Sequence, residues 1–308
     1  MEIKRRTFLQ GAGAGLALTG LGTARAWAET SLRFGTMQVQ TLLDGHLVLP
    51  PDFIFEPMPQ GELAPLLAER GIDPGAPLTP ACNVTLLRDG DRVVLFDTGS
   101  GSGFQPTAGE LLAALEAAGV SPGDVTHVVF THGHPDHLWG VLDDFDDPLF
   151  AEAEHMMGRA EWDYWYNPET VDTIDSGRTA FAVGAKRRLD MLEDAITFFD
   201  DGDEILPGVA ARATFGHSPG HMAFELRSGS EAAMVVGDCI GNPHMAFARP
   251  EWHSGSDQDQ ERAAAIRVKL LDQLAHEQMR LIGFHLPDGG IGRAERDGDG
   301  YRFVPETT

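Results

Sequence analysis

The sequence predicts an α/β fold in which reactive side chains follow the ends of buried strands. Apolar, β-branched segments such as 125–130 and 232–236 have the composition of buried strands. Longer segments with helical spacing of apolar residues, such as 261–278, lie between and after them. The run 131–137 places three histidines and one aspartate directly after a predicted strand. Because loops at strand ends commonly carry functional groups, this run predicts the position of the site.

Length, composition and charge limit the classes of function. The chain has 308 residues, of which 42% are hydrophobic and 23% are charged, as expected for a globular protein with one sizeable core. Its formal net charge of −24 repels phosphate backbones, so a small molecule is the expected substrate and nucleic acid is not an expected partner. The sequence leaves the oligomeric state open, with a homodimer among the options.

Residues 1–28 have the pattern of an export signal. Basic residues at 4–6 precede an apolar run over 11–22, and small residues close the segment. The pair Arg5 and Arg6, followed by Thr-Phe-Leu, resembles a bacterial twin-arginine signal. The apolar run is too short to span a membrane. We therefore expect twin-arginine export to the periplasm or beyond, and a single domain over residues 29–308.

The N-terminal half contains the parts of a β-α-β step that leads into the histidine run. Thr107 and Glu110 have capping-box spacing ahead of an apolar helix, which Gly119 is expected to end. Asp44 and Gly45 predict a turn between strands. The predicted strands cover 32–49, 83–87 and 92–96, and a short helix is predicted over 61–70.

The C-terminal half continues the alternation and adds aromatic residues after the histidine run. Core packing explains any one of these aromatic side chains, but as a group they also form candidate walls for an apolar substrate pocket. The candidate walls are Phe104, Trp139, Trp162, Trp165 and Phe247. The predicted helices cover 152–166, 178–196 and 261–278, and the predicted strands cover 209–215, 223–226, 232–236 and 280–283.

The histidine run has the residue types and spacing of a metal site. His132 and His134 alternate along an extended turn and can point to one centre, whereas Asp136 and His137 can face a second. This H-x-H-x-D-H pattern after a strand resembles the signature of the metallo-β-lactamase superfamily. The resemblance implies an αββα metallo-β-lactamase-like sandwich from about residue 30 to the end of the chain.

Later segments resemble the same superfamily in the same order along the chain. In the run Gly-His-Ser-Pro-Gly-His, the resemblance implies that His221 completes the first metal site and that His217 supports it. Asp238 resembles the residue that bridges two metals, and His285 resembles the last ligand. The resemblance also implies that Asp97 supports the site as a hydrogen-bond acceptor, although a turn-forming role explains Asp97 equally well.

The implied activity is that of a dinuclear metal-dependent hydrolase, with Asp136 and Asp238 as catalytic residues. Two divalent ions, zinc by expectation with Mn, Fe or Co also compatible, would lower the pKa of a shared water from about 15.7 to roughly 7. The resulting bridging hydroxide would attack neutral esters, lactones or phosphotriesters. The implied ligands are His132, His134 and His221 at one ion, Asp136, His137 and His285 at the other, and Asp238 between them.

Within the superfamily, the chain most resembles the branch of methyl-parathion hydrolase, lactonases and arylesterases. Asp238 departs from zinc β-lactamases that carry Cys or Ser there, and Gly241 departs from homoserine-lactone hydrolases that carry Tyr. Three alternatives stay open: a mononuclear iron oxidoreductase of the persulfide dioxygenase type, a zinc β-lactamase, and a non-catalytic metal-binding protein. Cys82 and Cys239 are predicted to be small buried residues, with a bridge between them left open.

Overall fold

The structure is a computed structural model that describes residues 30–306, so the predicted export signal lies outside the described residues. Two seven-stranded sheets make up its centre. The first sheet contains β1 (Ser31–Phe34), β2 (Met37–His46), β3 (Ala81–Asp89), β4 (Arg92–Phe96), β5 (His127–Phe130), β6 (Glu154–Gly158) and β7 (Ile196–Phe199). The second contains β8 (Glu204–Leu206), β9 (Val209–Ala213), β10 (Met222–Ser228), β11 (Glu231–Gly237), β12 (Arg280–Gly283), β13 (Ile291–Asp297) and β14 (Gly300–Pro305).

Both sheets keep their strands in chain order, and helices pack on their outer faces. The first sheet becomes parallel from β4 to β7, and the second is antiparallel except where β11 pairs with β12. The helices are α1 (Pro51–Phe55), α2 (Gln60–Glu69), α3 (Leu111–Ala117), α4 (Pro135–Leu138), α5 (Arg159–Tyr166), α6 (Thr170–Thr173), α7 (Thr179–Leu192), α8 (Met245–Ala248) and α9 (Gln260–Glu277). Among the described residues, no helix has the length and hydropathy that a membrane span requires.

Three apolar layers hold the two sheets and their covering helices together, and a fourth, smaller cluster joins α1, α2 and α8. Between the sheets, Phe96 of β4 meets Phe224 of β10 with ring centroids 5.1 Å apart. On the outer face of the first sheet, α3, α5 and α7 contribute residues such as Leu189 to a second core. On the outer face of the second sheet, α9 contributes residues such as Leu271 to a third. The structure therefore confirms the predicted αββα sandwich.

Strand β5 explains why the histidine run lies where it does. Its apolar residues Val128, Val129 and Phe130 are buried, as expected for a strand with parallel neighbours on both sides and both faces covered. The chain leaves the sheet at Thr131 and enters the loop that carries the histidines. The ends of β11 and β12 bring Asp238 and the loop after Gly283 to the same place.

The prediction of a turn at Asp44 is wrong, and the structure gives Asp44 another role. Asp44 lies within β2, where its buried carboxylate accepts backbone hydrogen bonds from Ser100, Gly109 and Leu111 at 2.8–3.1 Å. It thereby caps the start of α3 in place of the predicted capping box. Burial raises the pKa of Asp44 to about 6, against the lowering effect of these three hydrogen bonds. The turn itself occurs one strand earlier, between Phe34 and Met37.

The predicted helix over 152–166 is half correct. Residues 154–158 form the buried parallel strand β6, and the helix begins only at Arg159. A short apolar run fits a buried strand and a buried helix equally well, so its spacing alone could not separate the two. The other predicted helices and strands occur with boundaries shifted by a few residues. The elements that were not predicted are α1, α4, α6, α8, β7, β8, β13 and β14.

Candidate metal centre

Two groups of buried side chains converge where the two sheets meet. The first group is His132, His134 and His217, and the second group is Asp136, His137, Asp238 and His285. Within each group, the atoms that could bind a metal lie within 4.8 Å of one another. Asp238 also approaches both groups, because its carboxylate oxygens lie 3.4 Å from Nε2 of His217 and 3.3 Å from Nε2 of His137. The geometry therefore places Asp238 as the residue shared by the two groups.

Hydrogen bonds at the outer ring nitrogens orient the imidazoles of the first group. His217 Nδ1 lies 3.0 Å from Asp257 Oδ1, and His134 Nε2 lies 3.3 Å from Gln258 Oε1. Because these oxygens accept hydrogen bonds, the inner nitrogens, His217 Nε2 and His134 Nδ1, carry lone pairs. They lie 3.0 Å apart. Two lone pairs at this distance are stabilised by a cation beside them, which is the arrangement of a pair of metal ligands.

The imidazoles of His132 and His134 are neutral as well as oriented. Burial is the main cause that lowers the pKa of His132 and of His134 well below 6.5, and neighbouring histidines lower both pKa values further. His132 Nδ1 lies 3.0 Å from the hydroxyl of Thr131, which leaves Nε2 directed into the centre. Neutral imidazole is the form that binds a metal ion.

The structure corrects the sequence-based choice between the two histidines of residues 216–221. His221 uses both ring nitrogens within the protein: Nδ1 lies 2.8 Å from Thr214 Oγ1, and Nε2 accepts a hydrogen bond from the backbone of Asp238 at 3.0 Å. His221 therefore has no ring nitrogen left for a metal ion. His217, which was expected to be the supporting residue, takes its place in the first group. Spacing along the chain could not decide this, because the choice depends on which ring faces the centre.

The second group differs because carboxylates share it with imidazoles. Nε2 of His285 lies 3.2 Å from oxygens of both Asp136 and Asp238. Burial alone would lower the pKa of His137, but the carboxylates of Asp238, Asp136 and Asp97 raise it to about 10. Burial also opposes protonation of His285, yet the same two aspartates raise its pKa well above 6.5. In this group, the positive charges of the imidazoles and the negative charges of the carboxylates therefore compensate one another.

Asp97 supports the second group, which is one of the two roles that the sequence left open for it. Its Oδ2 lies 2.8 Å from His137 Nδ1, and its two oxygens accept hydrogen bonds from the backbone and hydroxyl of Thr131 at 2.7 and 2.8 Å. Asp97 follows β4 with a φ of 70°, a left-handed conformation that costs a non-glycine residue energy. The strained backbone directs the carboxylate under the histidine loop. On the other side, His285 Nδ1 lies 2.8 Å from the carbonyl oxygen of Ala81.

Four buried side-chain atoms at this centre have no hydrogen-bond partner. They are His132 Nε2, Asp136 Oδ2, His137 Nε2 and Asp238 Oδ1. Three of them lie 3.2–3.5 Å from a charged neighbour without forming a hydrogen bond, and His132 Nε2 has no such neighbour. Buried polar atoms that are not satisfied by hydrogen bonds are rare, so four in one place indicate a ligand-binding centre. Imidazole nitrogens and carboxylate oxygens bind zinc, and they also accept manganese, iron or cobalt. The residues present therefore fit two divalent metal ions.

A cavity of about 570 Å³ opens onto both groups. His134, Asp136, His217, Asp238 and His285 form its polar wall. Much of the remaining lining is apolar and comes from residues 47–80, a segment that includes α1 and ends directly before β3. Phe181 of α7 lines another side of the cavity. Arg178 also lines the cavity and donates a hydrogen bond to the carbonyl of Gly255 at 2.6 Å. The cavity can therefore hold a mostly apolar molecule against the two groups.

One of the five predicted aromatic walls lines this cavity, and four do not. Phe104 does so. Trp139 lies behind it, with ring centroids 5.5 Å apart. Trp162 and Trp165 are buried in the core of the first sheet, and Phe247 is buried against the second. Their ring faces are taken up by helix packing, so the prediction that they form the pocket is wrong. The aromatic walls that the sequence did not indicate include Phe53, Phe55 and Phe181.

Several residues around the centre carried no signal that sequence reasoning could use. Asp257 and Gln258 lie in a polar stretch before α9, without metal-ligand spacing. Arg267, on α9, donates to Asp257 Oδ2 at 3.1 Å and is almost fully buried. Glu161, on α5, is fully buried near the first group. Only the fold brings these residues beside the histidines. Cys82 and Cys239 are buried, as predicted, and the structure shows both as free thiols, which answers the question that the sequence left open.

Comparison with known proteins relates this geometry to a family. The model of the Metallo-beta-lactamase superfamily matches residues 79–275. The N-acyl homoserine lactonase AttM of Azorhizobium caulinodans is 30% identical over 117 residues, which are 38% of this chain and 41% of that protein. Metallo-beta-lactamase domain-containing protein 1 of Xenopus laevis is 38% identical over 95 residues, which are 31% of this chain and 35% of that protein. Each alignment thus spans less than half of the relative's length.

Similarity to solved structures extends over most of the chain. AidC, described as a dizinc quorum-quenching lactonase in complex with a product, has a TM-score of 0.84 at 26% identity and covers 91% of this chain and 98% of its own. AbOPH, described as a hydrolase in the beta-lactamase superfamily, has a TM-score of 0.83 at 26% identity with the same coverage.

Proposed function

Because the chain belongs to the metallo-β-lactamase superfamily, we propose that it is a dinuclear metal-dependent hydrolase of neutral, hydrophobic esters and lactones. The observation that carries this proposal is the set of buried, unpaired ligand atoms on the wall of an apolar cavity. The descriptions of AidC and AttM as lactonases support a lactone or a related ester as substrate. Phosphotriesters are also neutral and form the second substrate class of the proposal.

The chain's own residues would bind the metals and prepare the substrate. When bound, two divalent ions would supply water activated near neutral pH and positive charge for a developing oxyanion. Asp136 and Asp238 line the cavity, so their carboxylates lie beside a bound substrate and can orient water or accept a proton. The proposed ligands are His132, His134 and His217 at one ion, Asp136, His137 and His285 at the other, and Asp238 between them.

The cavity supports the substrate class through its lining and its surroundings. Apolar side chains such as Leu49, Ile54 and Phe181 would remove an acyl or aryl group from water, at roughly 25 cal/mol per Å² buried. Gly241 also lines the cavity, and because it has no side chain it offers no side-chain hydrogen bond to a substrate. Near Gly241, a substrate would therefore be bound mainly by apolar contacts. The net charge of −24 repels polyanions at long range. These properties favour neutral, hydrophobic molecules over nucleotides.

The test is a substrate panel on the purified protein with and without metal. The panel contains p-nitrophenyl esters from acetate to octanoate, alkyl and N-acyl homoserine lactones, a neutral phosphotriester, and bis(p-nitrophenyl) phosphate as an anionic control. We expect hydrolysis that chelation abolishes and added zinc restores, with a preference for the longer esters and lactones. Activity that survives chelation, or preferred cleavage of the anionic diester, would overturn the proposal.

Phe53 provides a local test of the cavity. Phe53 lines the cavity, whereas the similarly apolar Phe145 is 85% exposed and does not. Phe53→Ala should lower the preference for octanoate over acetate by about 10-fold, since one or two lost apolar contacts cost about 1–3 kcal/mol. Phe145→Ala is the matched control and should leave this ratio unchanged. Equal ratios in both variants would place the acyl group elsewhere.

We also propose that residues 1–28 direct export through the twin-arginine pathway to the periplasm or beyond. The supporting observation is the pair Arg5 and Arg6 with small residues at positions 26 and 28. N-terminal sequencing of exported protein should give a start near Glu29. An intact Met1 in the exported fraction, or unchanged export of the double variant Arg5→Lys and Arg6→Lys, would contradict this.

A further inference from the structure

Glu161 is a fully buried carboxylate that is neither in a ligand group nor in the cavity lining. It accepts four hydrogen bonds, two at each oxygen. Oε1 accepts from the backbone of Gly133 at 2.8 Å and from the indole of Trp165 at 2.5 Å. Oε2 accepts from the hydroxyl of Ser218 at 2.8 Å and from the backbone of Gly220 at 2.7 Å. A buried carboxylate with this many donors is held in one position.

Three of these four donors belong to the two loops that carry the first ligand group. Gly133 lies between His132 and His134, and Ser218 directly follows His217. One carboxylate on α5 therefore ties the loop after β5, in the first sheet, to the loop before β10, in the second. The other backbone hydrogen bond between these segments, from Met222 to Thr131 at 2.9 Å, lies at the strand ends, so Glu161 is the side chain that fixes the loops nearer their histidines.

The two loops lie against α5 so closely that only glycine fits at the points of contact. A Cβ atom at Gly133 would lie 2.5 Å from Cδ1 of Trp165, and a Cβ atom at Gly220 would lie 2.1 Å from the backbone nitrogen of Glu161. Both distances are shorter than any normal contact. The glycines thus allow the backbone of each loop to reach Glu161 directly.

The second ligand group is held by different means. Outer nitrogens of His137 and His285 bind Asp97 and the carbonyl of Ala81, and neither of these partners touches Glu161. Loss of Glu161 should therefore disturb the first group far more than the second.

We propose that Glu161 is the positioning residue that sets the separation and orientation of His132, His134 and His217, and with it the metal affinity of the first group. The proposal rests on the proposed function, because it presupposes that the first group binds a metal ion. Glu161 would act only through the two loops and would not touch metal or substrate. A purely structural role predicts a different result, namely a less stable protein whose two metal affinities change equally or not at all.

The test compares Co²⁺ binding by wild-type protein and Glu161→Gln, each stripped of metal by chelation. Glutamine keeps the size of the side chain but turns an amide NH₂ toward donors that need an acceptor. Titration is followed by visible absorbance of Co²⁺ and by metal analysis. We expect the affinity of one site to fall about 10- to 100-fold, as for lost partners of metal ligands, and that of the other site to stay within threefold.

Two further variants keep the test decisive. Ser218→Ala removes one of the four donors and should shift the same site in the same direction, by less. Glu225→Gln is the matched control, because Glu225 is a largely buried carboxylate of β10 that pairs with Arg212 and Arg227, outside both ligand groups. It should leave both affinities unchanged. If Glu161→Gln does not fold, Ser218→Ala decides.

The outcomes separate this proposal from the proposed function. Wild-type protein that binds fewer than two Co²⁺ ions would contradict the dinuclear centre itself. Wild-type protein that binds two ions, with Glu161→Gln showing the same affinities and the same Co²⁺ spectrum, would overturn the role of Glu161. An equal loss at both sites would also overturn it, since Glu161 would then support the fold and not the first group.

Discussion

The two ligand groups both lie close to Asp238, but the side chains of each group are held in place by different interactions. The first contains only imidazoles, and burial keeps those of His132 and His134 neutral. The second mixes carboxylates with imidazoles, and its carboxylates raise the pKa of His137 to about 10 against the effect of burial. Groups of opposite charge attract one another in the second, whereas the first contains no carboxylate of its own.

This difference explains why the first group has so many supports outside it. Asp257, Gln258 and Glu161 all act on its histidines or on their loops, and Arg267 compensates the charge of Asp257. The second group depends more on its own ion pairs, with Asp97 as its main outside partner. A group made of imidazoles alone is thus positioned from outside, whereas a group that includes carboxylates is held largely by attraction among its own members.

The largest effect should come from breaking the residue that the groups share. Asp238→Ala removes the carboxylate that approaches both His137 and His217. We expect metal content to fall from two ions toward one per chain, and activity to fall on the order of 10³-fold, because several kcal/mol of charge stabilisation are lost. Metal analysis and initial rates on the preferred ester measure this. Two retained ions with near-normal rates would show that the groups work separately.

The next effect separates the two histidines that the sequence could not. His217→Ala should remove the metal ion of the first group, with activity reduced by about 10²-fold or more, because a ligand nitrogen is lost. His221→Ala removes a support beneath Asp238 and should retain more metal and more activity. The measurement is metal content and rate of both variants side by side. The reverse order would restore the assignment that the sequence suggested.

A smaller effect should test how the outer partners divide between the groups. Asp257→Asn should weaken chiefly the site of His217, by about 10- to 100-fold in metal affinity. Asp97→Asn should weaken chiefly the site of His137 by a similar factor, with a smaller effect on the first group through the hydroxyl of Thr131, which also contacts that group. Competition of each variant with a chelator of known affinity measures the two sites. If both variants weakened chiefly the same site, the two groups would not be the independent units described above.

The smallest effect uses His155 as a reference, a buried histidine outside both groups. Burial lowers its pKa to about 4, from 6.5. Between pH 4 and pH 6.5, His155 is therefore protonated in the unfolded chain but neutral in the folded chain. The free energy of unfolding consequently falls as the pH drops below 6.5. Between pH 7 and pH 5, the free energy of unfolding of His155→Phe should therefore fall by about 2 kcal/mol less than that of the wild type. Urea unfolding of both proteins at the two pH values measures it, and parallel curves would contradict it.

The sequence predicted the fold class, the position of the candidate site and most of its candidate ligands for a local reason. The run 131–137 follows a strand whose burial is visible in its composition, and four candidate ligands lie within seven positions of it. Asp238 and His285 also follow apolar strands, so their position at the same end of the sandwich could be anticipated. For Asp97 the sequence left a supporting role and a turn-forming role open, and its contact with His137 decides for the first.

What the sequence could not predict depends on contacts between distant segments. The choice of His217 over His221 depends on the direction of each ring, which neighbours such as Asp257 and Thr214 decide. The aromatic residues of α5 were predicted to line the pocket, but helix packing buries Trp162 and Trp165. The actual cavity walls come largely from residues 47–80, more than fifty positions before the histidine loop.

Both ligand groups draw on both sheets, and this has a consequence for how the protein forms. His132 and His134 come from the first sheet and His217 from the second, while Asp136 and His137 face Asp238 and His285 across the same boundary. Neither half of the sandwich alone contains a complete group. An ion that binds only the assembled molecule stabilises it by about 2.7 kcal/mol at a concentration 100 times its dissociation constant. Metal uptake would therefore stabilise the contact between the two halves of the chain, and only a molecule whose halves have already docked would carry both ions.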